Sequence, residues 1–180
     1  RVRRRHAEHV KNLCLRLFDD LHALHKYGDR ERELLEAAAL LHDVGYHIAA
    51  DQHHKHSEYI IRNSAMPGFT NDEAEIIANI ARYHRKSHPK KKHPSFAALS
   101  ADEQRLVRVL SAILRIGEGL DRRQQQMVQT IRVNISAGML DVYLVAPTGV
   151  PDIELWGAER RKELLEETFG RKVRLLVHAH

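Results

Sequence analysis

The sequence predicts a mainly α-helical protein with a small α+β domain at its C-terminal end. Through residues 1–126, apolar residues recur every three or four positions, which is the period of helices that bury one face. After Gln126 the period changes to two, as in half-buried strands. We therefore expect a helical bundle over residues 1–126, followed by a small ββαβ domain over residues 127–180.

The first two helices are defined by their apolar stripes. One stripe runs from Val10 to Leu24, and the first helix should end near Gly28. The second stripe ends at Leu41, inside the stretch ALLHDVG. A third, shorter helix is expected through Ile61, after a polar segment that is rich in histidine.

The next helices begin at capping boxes, in which two side chains satisfy free backbone N–H groups at a helix start. Thr70 is followed three residues later by Glu73, and Ser100 is followed in the same way by Glu103. Between these helices, residues 85–96 hold two prolines and five basic residues. We expect that segment to be a solvated loop.

The last third of the chain predicts a hairpin, a helix and a strand. TIRVNIS and MLDVYLV alternate apolar and polar residues, and Ala137–Gly138 lies between them as a turn. A helix is expected over residues 154–169, ended by Gly170, and a strand follows to Val177. Trp156 and Phe169 are predicted to form the core of this small domain.

Composition narrows the class of protein. The net charge is +5 and the pI is near 9.5, which favours an anionic partner such as a nucleotide or polyphosphate. No stretch approaches the roughly 20 apolar residues that span a bilayer, and no signal peptide is visible, so we expect a cytoplasmic protein without a membrane partner. The lone Cys14 excludes an internal disulfide and is expected in the core. The chain starts without Met, directly in helical periodicity, so we expect it to be cut from a longer protein.

The histidine–aspartate doublet His42–Asp43 is the most informative motif. Two strong metal ligands stand side by side where an apolar helix ends, and burial of that helix draws them toward the core. Further ligand types follow on successive helices. The candidate metal ligands are His6, His42, Asp43, His56, His84 and Asp121. Of the 14 histidines most fit no ligand spacing, so position decides rather than abundance.

These ligands could hold one or two divalent ions. One ion would be bound by His6, His42, Asp43 and Asp121, and Asp43 would be shared with a second ion at His56 and His84. The alternative for the doublet is a buried hydrogen-bonded network without metal. For Arg122–Arg123 the alternative is a pair of charges that complements the end of a helix, and for the basic loop it is a solvated surface.

The ligand order H…HD…H…H…D resembles the HD superfamily of metal-dependent phosphohydrolases. Four local stretches carry the resemblance, namely RRHAEHVKNL, ALLHDVG, HSEYIIRN and LRIGEGLD. It implies an HD-type helical bundle around the metal ions. By spacing within this resemblance, His6 is preferred over His9, and His56 is preferred over His53 and His54.

A narrower resemblance is to the C-terminal part of the exopolyphosphatase and guanosine-pentaphosphate phosphatase family. HHKHSEYII, RYHRK and ELWGAERRKELLEETFG carry it. It implies an HD-type domain followed by a small α+β domain, with the family's hydrolytic centre in N-terminal actin-like domains. Some members of that family have lost HD ligands, whereas this sequence keeps all six positions.

The sequence is compatible with two functions. In the first, a divalent ion (Mn, Mg, Fe, Zn or Ni, with one or two bound) activates a water that attacks polyphosphate, a nucleotide or a guanosine polyphosphate. Asp43, His56 and His84 would be catalytic. Lys55, Arg85, Lys86 and Arg122 would bind the substrate.

In the second, the chain is a non-catalytic module that binds polyphosphate and dimerises, next to an N-terminal actin-like phosphatase domain. A homodimer is expected in either case. Specific nucleic-acid recognition is disfavoured because the basic residues lack interleaved aromatic residues and no helix has the pattern of a groove reader.

Overall fold

The computed structural model describes residues 1–178. Within this range the chain forms nine α-helices, one short 3-10 helix and three strands. In chain order these are α1 (Val2–Asp20), α2 (His22–His25), α3 (Asp29–Leu41), the 3-10 helix η1 (Val44–His47), α4 (His53–Arg62), α5 (Asn71–Arg82), α6 (Pro94–Ala97), α7 (Ala101–Gly119), β1 (Thr130–Ser136), β2 (Met139–Val145), α8 (Asp152–Glu159), α9 (Glu163–Phe169) and β3 (Lys172–Val177). The predicted fold class, a helical bundle with a small α+β part, is confirmed.

Local signals set the starts of the two helices that were predicted to begin at capping boxes. At α5 the hydroxyl of Thr70 accepts from the backbone N–H of Glu73, whose carboxylate accepts in return from the N–H of Thr70. Ser100 and Glu103 make the same reciprocal pair at the start of α7. Each box satisfies two donors that the helix itself leaves free.

Two predicted helices are each divided in the structure. The first is interrupted at Leu21, after which the short α2 brings the His25 ring to the carbonyl of Phe18 at 2.7 Å. The helix predicted over residues 154–169 is divided between α8 and α9. The break falls at residues 160–162, so that the two segments can pack separately.

The sheet has the strand order β1-β2-β3. Strands β1 and β2 form the predicted antiparallel hairpin, in which Ser136 pairs with Met139 across the turn and Gly138 adopts a φ of 78°. Strand β3 returns parallel to β2 after the two helices α8 and α9. Parallel strands need such a crossover connection.

The buried core is continuous from the helices to the sheet. Leu35, Ile77 and Ile113 lie within the bundle, and the same apolar cluster continues to Ile131 and Val142 in the sheet. Cys14 is fully buried as predicted, and burial raises the pKa of its thiol. None of the helices in residues 1–178 has the length and apolar character needed to cross a bilayer.

One close contact between the small part of the fold and the bundle is made by two glycines. A Cβ added to Gly119, at the end of α7, would lie 2.9 Å from the carbonyl oxygen of Gly157 in α8. A Cβ on Gly157 would lie 2.7 Å from the carbonyl oxygen of Gly119. The two backbones can approach this closely only without side chains, and the contact holds α8 against the end of α7.

Trp156 does not form the core of the small domain. The residue is 51% exposed, so that prediction is wrong, although Phe169 does pack against the core. The physical reason is the short α8, on which Leu155, Gly157 and Ala158 face inward and leave the indole on the opposite face.

Candidate metal centre

The candidate ligands meet where five helices of the bundle end or begin. His6 lies near the start of α1, His42 and Asp43 follow α3, His53 begins α4, His84 follows α5 and Asp121 follows α7. The rings of His6, His42, His53 and His84 are buried, as is the carboxylate of Asp121. A cluster of ligand-type groups is therefore held away from solvent by rigid elements.

In both His6 and His42, one ring nitrogen makes a hydrogen bond and the other makes none to the described residues. Nδ1 of His6 lies 2.8 Å from Oδ2 of Asp121, and Nδ1 of His42 lies 2.6 Å from the carbonyl oxygen of Ala39. A carbonyl or carboxylate oxygen can only accept, so Nδ1 carries the proton and Nε2 carries a lone pair. Both Nε2 atoms are buried and lack a hydrogen-bond partner among residues 1–178. This is the state in which metal-bound imidazoles are held.

Asp43 faces these nitrogens with both carboxylate oxygens. Oδ2 lies 3.6 Å from Nε2 of His6 and 3.4 Å from Nε2 of His42. Oδ1 lies 3.4 Å from Nε2 of His53 and 3.7 Å from Nε2 of His84. The ligand atoms of His6, His42 and Asp43 lie within 4.8 Å of one another, and so do those of Asp43, His53 and His84. One carboxylate thus divides the site into two groups, as a bridging ligand does.

His53 is held differently from the other rings. The guanidinium of Arg85 donates to its Nδ1 at 2.8 Å, because an arginine can only donate. The proton of His53 therefore lies on Nε2, which donates to Nε2 of His84 at 3.0 Å. His84 in turn donates through Nδ1 to the carbonyl oxygen of Ala81 at 2.5 Å. In the other tautomer, Nδ1 of His53 would carry the proton and donate to the carbonyl oxygen of Ala50, which lies 3.2 Å away.

Burial and charge set the protonation of the centre. Burial lowers the pKa of His42 and holds the pKa of His84 well below its usual value, so both rings are neutral. Burial also acts to raise the pKa of Asp43, but the hydrogen bond from His53 and the neighbouring rings outweigh it and leave that pKa below its usual value. Neutral imidazoles around an ionised carboxylate are the forms in which these groups bind metal.

Four of the six ligands predicted from sequence, His6, His42, Asp43 and His84, lie in the two ligand groups, whereas Asp121 contacts His6 and belongs to neither group. Asp121 also accepts from the N–H of Gln126 through its other oxygen at 2.9 Å. Its carboxylate therefore orients the ring of His6, which is how carboxylates commonly support metal-bound histidines.

His53, rather than the predicted His56, contacts Asp43 and His84. Counting back along α4 from the buried Ile61 in steps of four residues gives Ser57 and then His53, and these two residues lie on the same buried face of the helix. His56 lies outside this stripe and belongs to neither ligand group. Counting back from Ile61 is the sequence signal that would have selected His53.

A strongly basic cavity of about 550 Å³ opens beside His53 and His84. Among the described residues, six basic side chains line it and one acidic one, Glu118, which pairs with Arg161. Its lining consists of Tyr46, His53, His84, Arg85, Lys86, Arg115, Glu118, Arg122, Trp156, Gly157, Arg160 and Arg161. Such a concentration of positive charge next to two candidate ligands suits a polyanion.

Comparison with known proteins identifies the family. The model of the Ppx/GppA phosphatase family, domain III, matches residues 1–155. The chain belongs to the Ppx/GppA phosphatase family.

Proteins named guanosine-5'-triphosphate,3'-diphosphate pyrophosphatase are similar to this Ppx/GppA chain. The one from Pseudoalteromonas translucida is 34% identical over 109 residues, covering 61% of the chain and 21% of the relative. Identity to the protein from Aeromonas hydrophila is 30% over 177 residues, covering 95% of the chain and 34% of the relative. The relative from Pseudoalteromonas atlantica is 37% identical over 81 residues, covering 44% of the chain and 16% of the relative. The chain spans about a third or less of the length of these curated relatives.

Three of the four predicted substrate-binding residues of this Ppx/GppA chain line the basic cavity, namely Arg85, Lys86 and Arg122. Lys55 lies instead at a neighbouring cavity of about 360 Å³, which Arg85 and Lys86 also line. Arg123 forms an ion pair with the buried Glu154 at 2.6 Å, so it has a structural partner.

Arg115 is a residue that sequence reasoning missed. It is buried on α7 and donates to the backbone carbonyls of Tyr83, Lys86 and Ser87 at 2.7 to 2.9 Å. Burial lowers its pKa to about 10. Lys86 has a φ of 62°, a conformation that costs a residue with a side chain about 1 kcal/mol or more. Arg115 thus holds the segment that presents Arg85 and Lys86.

Proposed function

We propose that this chain is an HD-type, metal-dependent phosphohydrolase domain that acts on phosphoanhydride or phosphoester bonds. One observation carries the proposal. The buried Nε2 atoms of His6 and His42 lack a partner among the described residues and face the same oxygen of Asp43. Two buried acceptors without a partner destabilise the folded protein, and a bound cation would remove that destabilisation.

The donor set fits a divalent transition metal better than magnesium. His6, His42 and Asp43 would hold one ion, and Asp43, His53 and His84 would hold a second. Imidazole nitrogen suits Mn, Fe, Ni or Zn, whereas magnesium prefers oxygen ligands and water. His53 would bind through Nε2 after its proton moved to Nδ1, which would then donate to the carbonyl of Ala50 while the guanidinium of Arg85 moved away from that nitrogen.

A bound divalent ion would supply an acidified water for attack on phosphorus and would neutralise phosphoryl charge. The residues of the chain would do the remaining work. Arg85 and Lys86 line the cavity beside the ligands and would bind the phosphoryl oxygens, with Arg122 binding phosphates further along. The burial of His84 and His42 keeps their rings neutral and available as ligands.

The names of the relatives support a substrate with phosphoanhydride bonds. Each is named for action on guanosine-5'-triphosphate,3'-diphosphate. Since the chain spans a third or less of their length, the activity of those whole proteins comes to this chain as part of the proposal. The proposed substrates are guanosine polyphosphates, other nucleotides and polyphosphate.

A second function is a regulatory module that binds a polyanion without hydrolysing it, for an N-terminal phosphatase domain of a longer protein. The observation in its favour is that six basic side chains and one acidic side chain line the cavity, so its positive charge comes from the protein itself. Binding by charge therefore does not depend on the ligand cluster.

Metal content and phosphate release test the first function against the second. Bound metal is measured by elemental analysis, and phosphate release from guanosine pentaphosphate and from polyphosphate is measured with added manganese. We expect bound transition metal and metal-dependent release in the wild type. Both should be lost in the double variant His42→Ala/Asp43→Ala.

The matched control is His47→Asn, which changes an exposed histidine four residues after Asp43 and should leave both readings unchanged. Protein that binds no metal and releases no phosphate would overturn the enzymatic proposal. Polyanion binding that survives in such protein would then support the regulatory module.

A further inference from the structure

Trp156 is a large apolar side chain exposed at the basic cavity. It is the only tryptophan of the chain, the residue is 51% exposed, and it contributes to the cavity lining. It also lies just beyond residues 1–155, the part that matches the Ppx/GppA domain III model. An indole exposed at a cavity presents a flat apolar ring on which another ring can stack.

Two arginines of the cavity lie against this indole. The guanidinium carbon of Arg160 is 4.7 Å from the centre of the ring, and that of Arg122 is 5.9 Å away. Both distances lie within the range of cation–π attraction. Both guanidinium groups lie over the ring, so a nucleobase that stacks on the indole would displace at least one of them, and that arginine could then bind the phosphates.

Contacts of the neighbouring residues hold Trp156 in place. Gly157, the next residue, has its backbone against Gly119 of α7, and no side chain fits between them. Two residues before Trp156, the buried Glu154 accepts two hydrogen bonds from Arg123, at 2.9 and 2.6 Å. The short helix α8 is thus fixed on both sides of Trp156, so the ring is presented at a defined place rather than on a loose segment.

The cavity joins this indole to the candidate ligands. His53 and His84 line it as well as Trp156, and Arg85 and Lys86 lie in the same lining. Its volume of about 550 Å³ is within the range of cavities that hold drug-sized molecules. One ligand with an aromatic base and a chain of phosphates would use the whole cavity.

We propose that the basic cavity binds a nucleoside polyphosphate, with its base stacked on Trp156 and its phosphates among Arg85, Lys86 and Arg122. The direction of the phosphates, toward the metal ligands, rests on the proposed function, whereas the stacking does not. An inorganic polyphosphate chain would bind by charge alone, because it has no ring to stack.

Tryptophan fluorescence tests this directly, because Trp156 is the only emitter of its kind in the chain. The protein is titrated without added metal with GTP, ATP and inorganic tripolyphosphate, and binding is measured in parallel by calorimetry. We expect strong quenching by both nucleotides and little quenching by tripolyphosphate at equal occupancy. Trp156→Leu should weaken nucleotide binding about tenfold or more and leave tripolyphosphate binding within twofold.

Trp156→Phe keeps an aromatic face and should restore most of the nucleotide affinity, which separates stacking from a change in fold. Equal quenching by tripolyphosphate, or equal loss of all three ligands in Trp156→Leu, would overturn the inference. The double variant His42→Ala/Asp43→Ala distinguishes the two proposals. Retained nucleotide quenching there supports stacking whether or not the wild type hydrolyses phosphate. If the wild type hydrolyses phosphate but nucleotides do not quench its fluorescence, the proposed function stands and the stacking is overturned.

Discussion

The imidazole of His6 and the carboxylate of Asp121 lie 2.8 Å apart although 115 positions separate them in the chain. Both side chains are buried, and the contact joins the start of α1 to the end of α7. Because Asp121 accepts a hydrogen bond from Nδ1–H of His6, it aims Nε2 of that ring at Asp43. Its role in the proposed centre is therefore positioning.

Removal of the Asp121 carboxylate should weaken metal binding without removing a ligand atom from either group. We expect Asp121→Ala to lower manganese affinity roughly 10- to 100-fold, because the ring of His6 loses its orientation. Isothermal titration calorimetry measures the change. Asp141→Ala is the control, since that carboxylate pairs with Arg174 on the sheet and should leave metal affinity unchanged. Equal affinities in wild type and Asp121→Ala would contradict the positioning role.

A pair of histidine variants separates the ligand chosen from sequence from the one that the structure indicates. His53→Ala removes the ring between Asp43 and His84, and we expect it to reduce the bound metal to at most one ion per chain. His56→Ala should leave the metal content unchanged, because that ring belongs to neither ligand group. Elemental analysis of both variants gives the answer. Loss of metal in His56→Ala, with unchanged metal content in His53→Ala, would show that His56 is the ligand.

The glycine of the ALLHDVG motif should not tolerate a side chain. A Cβ on Gly45 would lie 2.1 Å from the carbonyl oxygen of His53 and 2.5 Å from the backbone nitrogen of Ser57. Gly45→Ala must push α4 away, and we expect the free energy of unfolding to fall by about 3 kcal/mol. Urea denaturation measures it. At Gly149 a Cβ meets only the flexible side chain of Met127 at 3.5 Å, so Gly149→Ala should cost less than about 1 kcal/mol.

The buried guanidinium of Arg115 should be needed for stability of the fold. Arg115→Met leaves the carbonyls of Tyr83, Lys86 and Ser87 without their donor, and we expect a loss of about 2–4 kcal/mol in the free energy of unfolding. Arg115→Lys should recover little, because one ammonium group cannot reproduce the fork of donors. The exposed Arg105, on the same helix, serves as the control, and Arg105→Met should cost about 1 kcal/mol or less. Comparable losses at both positions would contradict this role.

His25 gives a pH dependence that is separate from the metal centre. Its Nε2 donates to the carbonyl of Phe18 at 2.7 Å, and its Nδ1 accepts from the N–H of Tyr27 at 2.9 Å, so only the neutral ring fits. Burial lowers its pKa in the folded state. Below the usual histidine pKa of about 6.5, the unfolded chain therefore binds a proton that the folded one does not, and stability falls with falling pH.

The expected measurement is a difference between two proteins. The stability advantage of the wild type over His25→Gln, from urea denaturation, should be largest above about pH 7 and should shrink between about pH 6.5 and 5. Other titrating groups cancel in the difference. An advantage that is constant over this range would show that the ring does not titrate as described.

Helix and strand positions could be predicted because their signals are local. The capping boxes at Thr70 and Ser100 and the turn at Ala137–Gly138 depend only on residues a few positions apart. The break at Leu21 could not, because it lies within a continuous apolar stripe. The break at residues 160–162 falls in a run of three basic residues, a composition that does not by itself end a helix. Tertiary packing decides whether the helix breaks at either place.

The chain order of the candidate ligands, and the doublet His42–Asp43 at a helix end, were determined by the sequence alone. The choice of His53 over His56, the contact of Asp121 with His6, and the exposure of Trp156 at a basic cavity were decided only by the tertiary structure. The physical reason is distance along the chain. Residue types and periods specify which groups a helix carries, but the helix packing that brings residues 6, 43, 84 and 121 together also sets which way each side chain points.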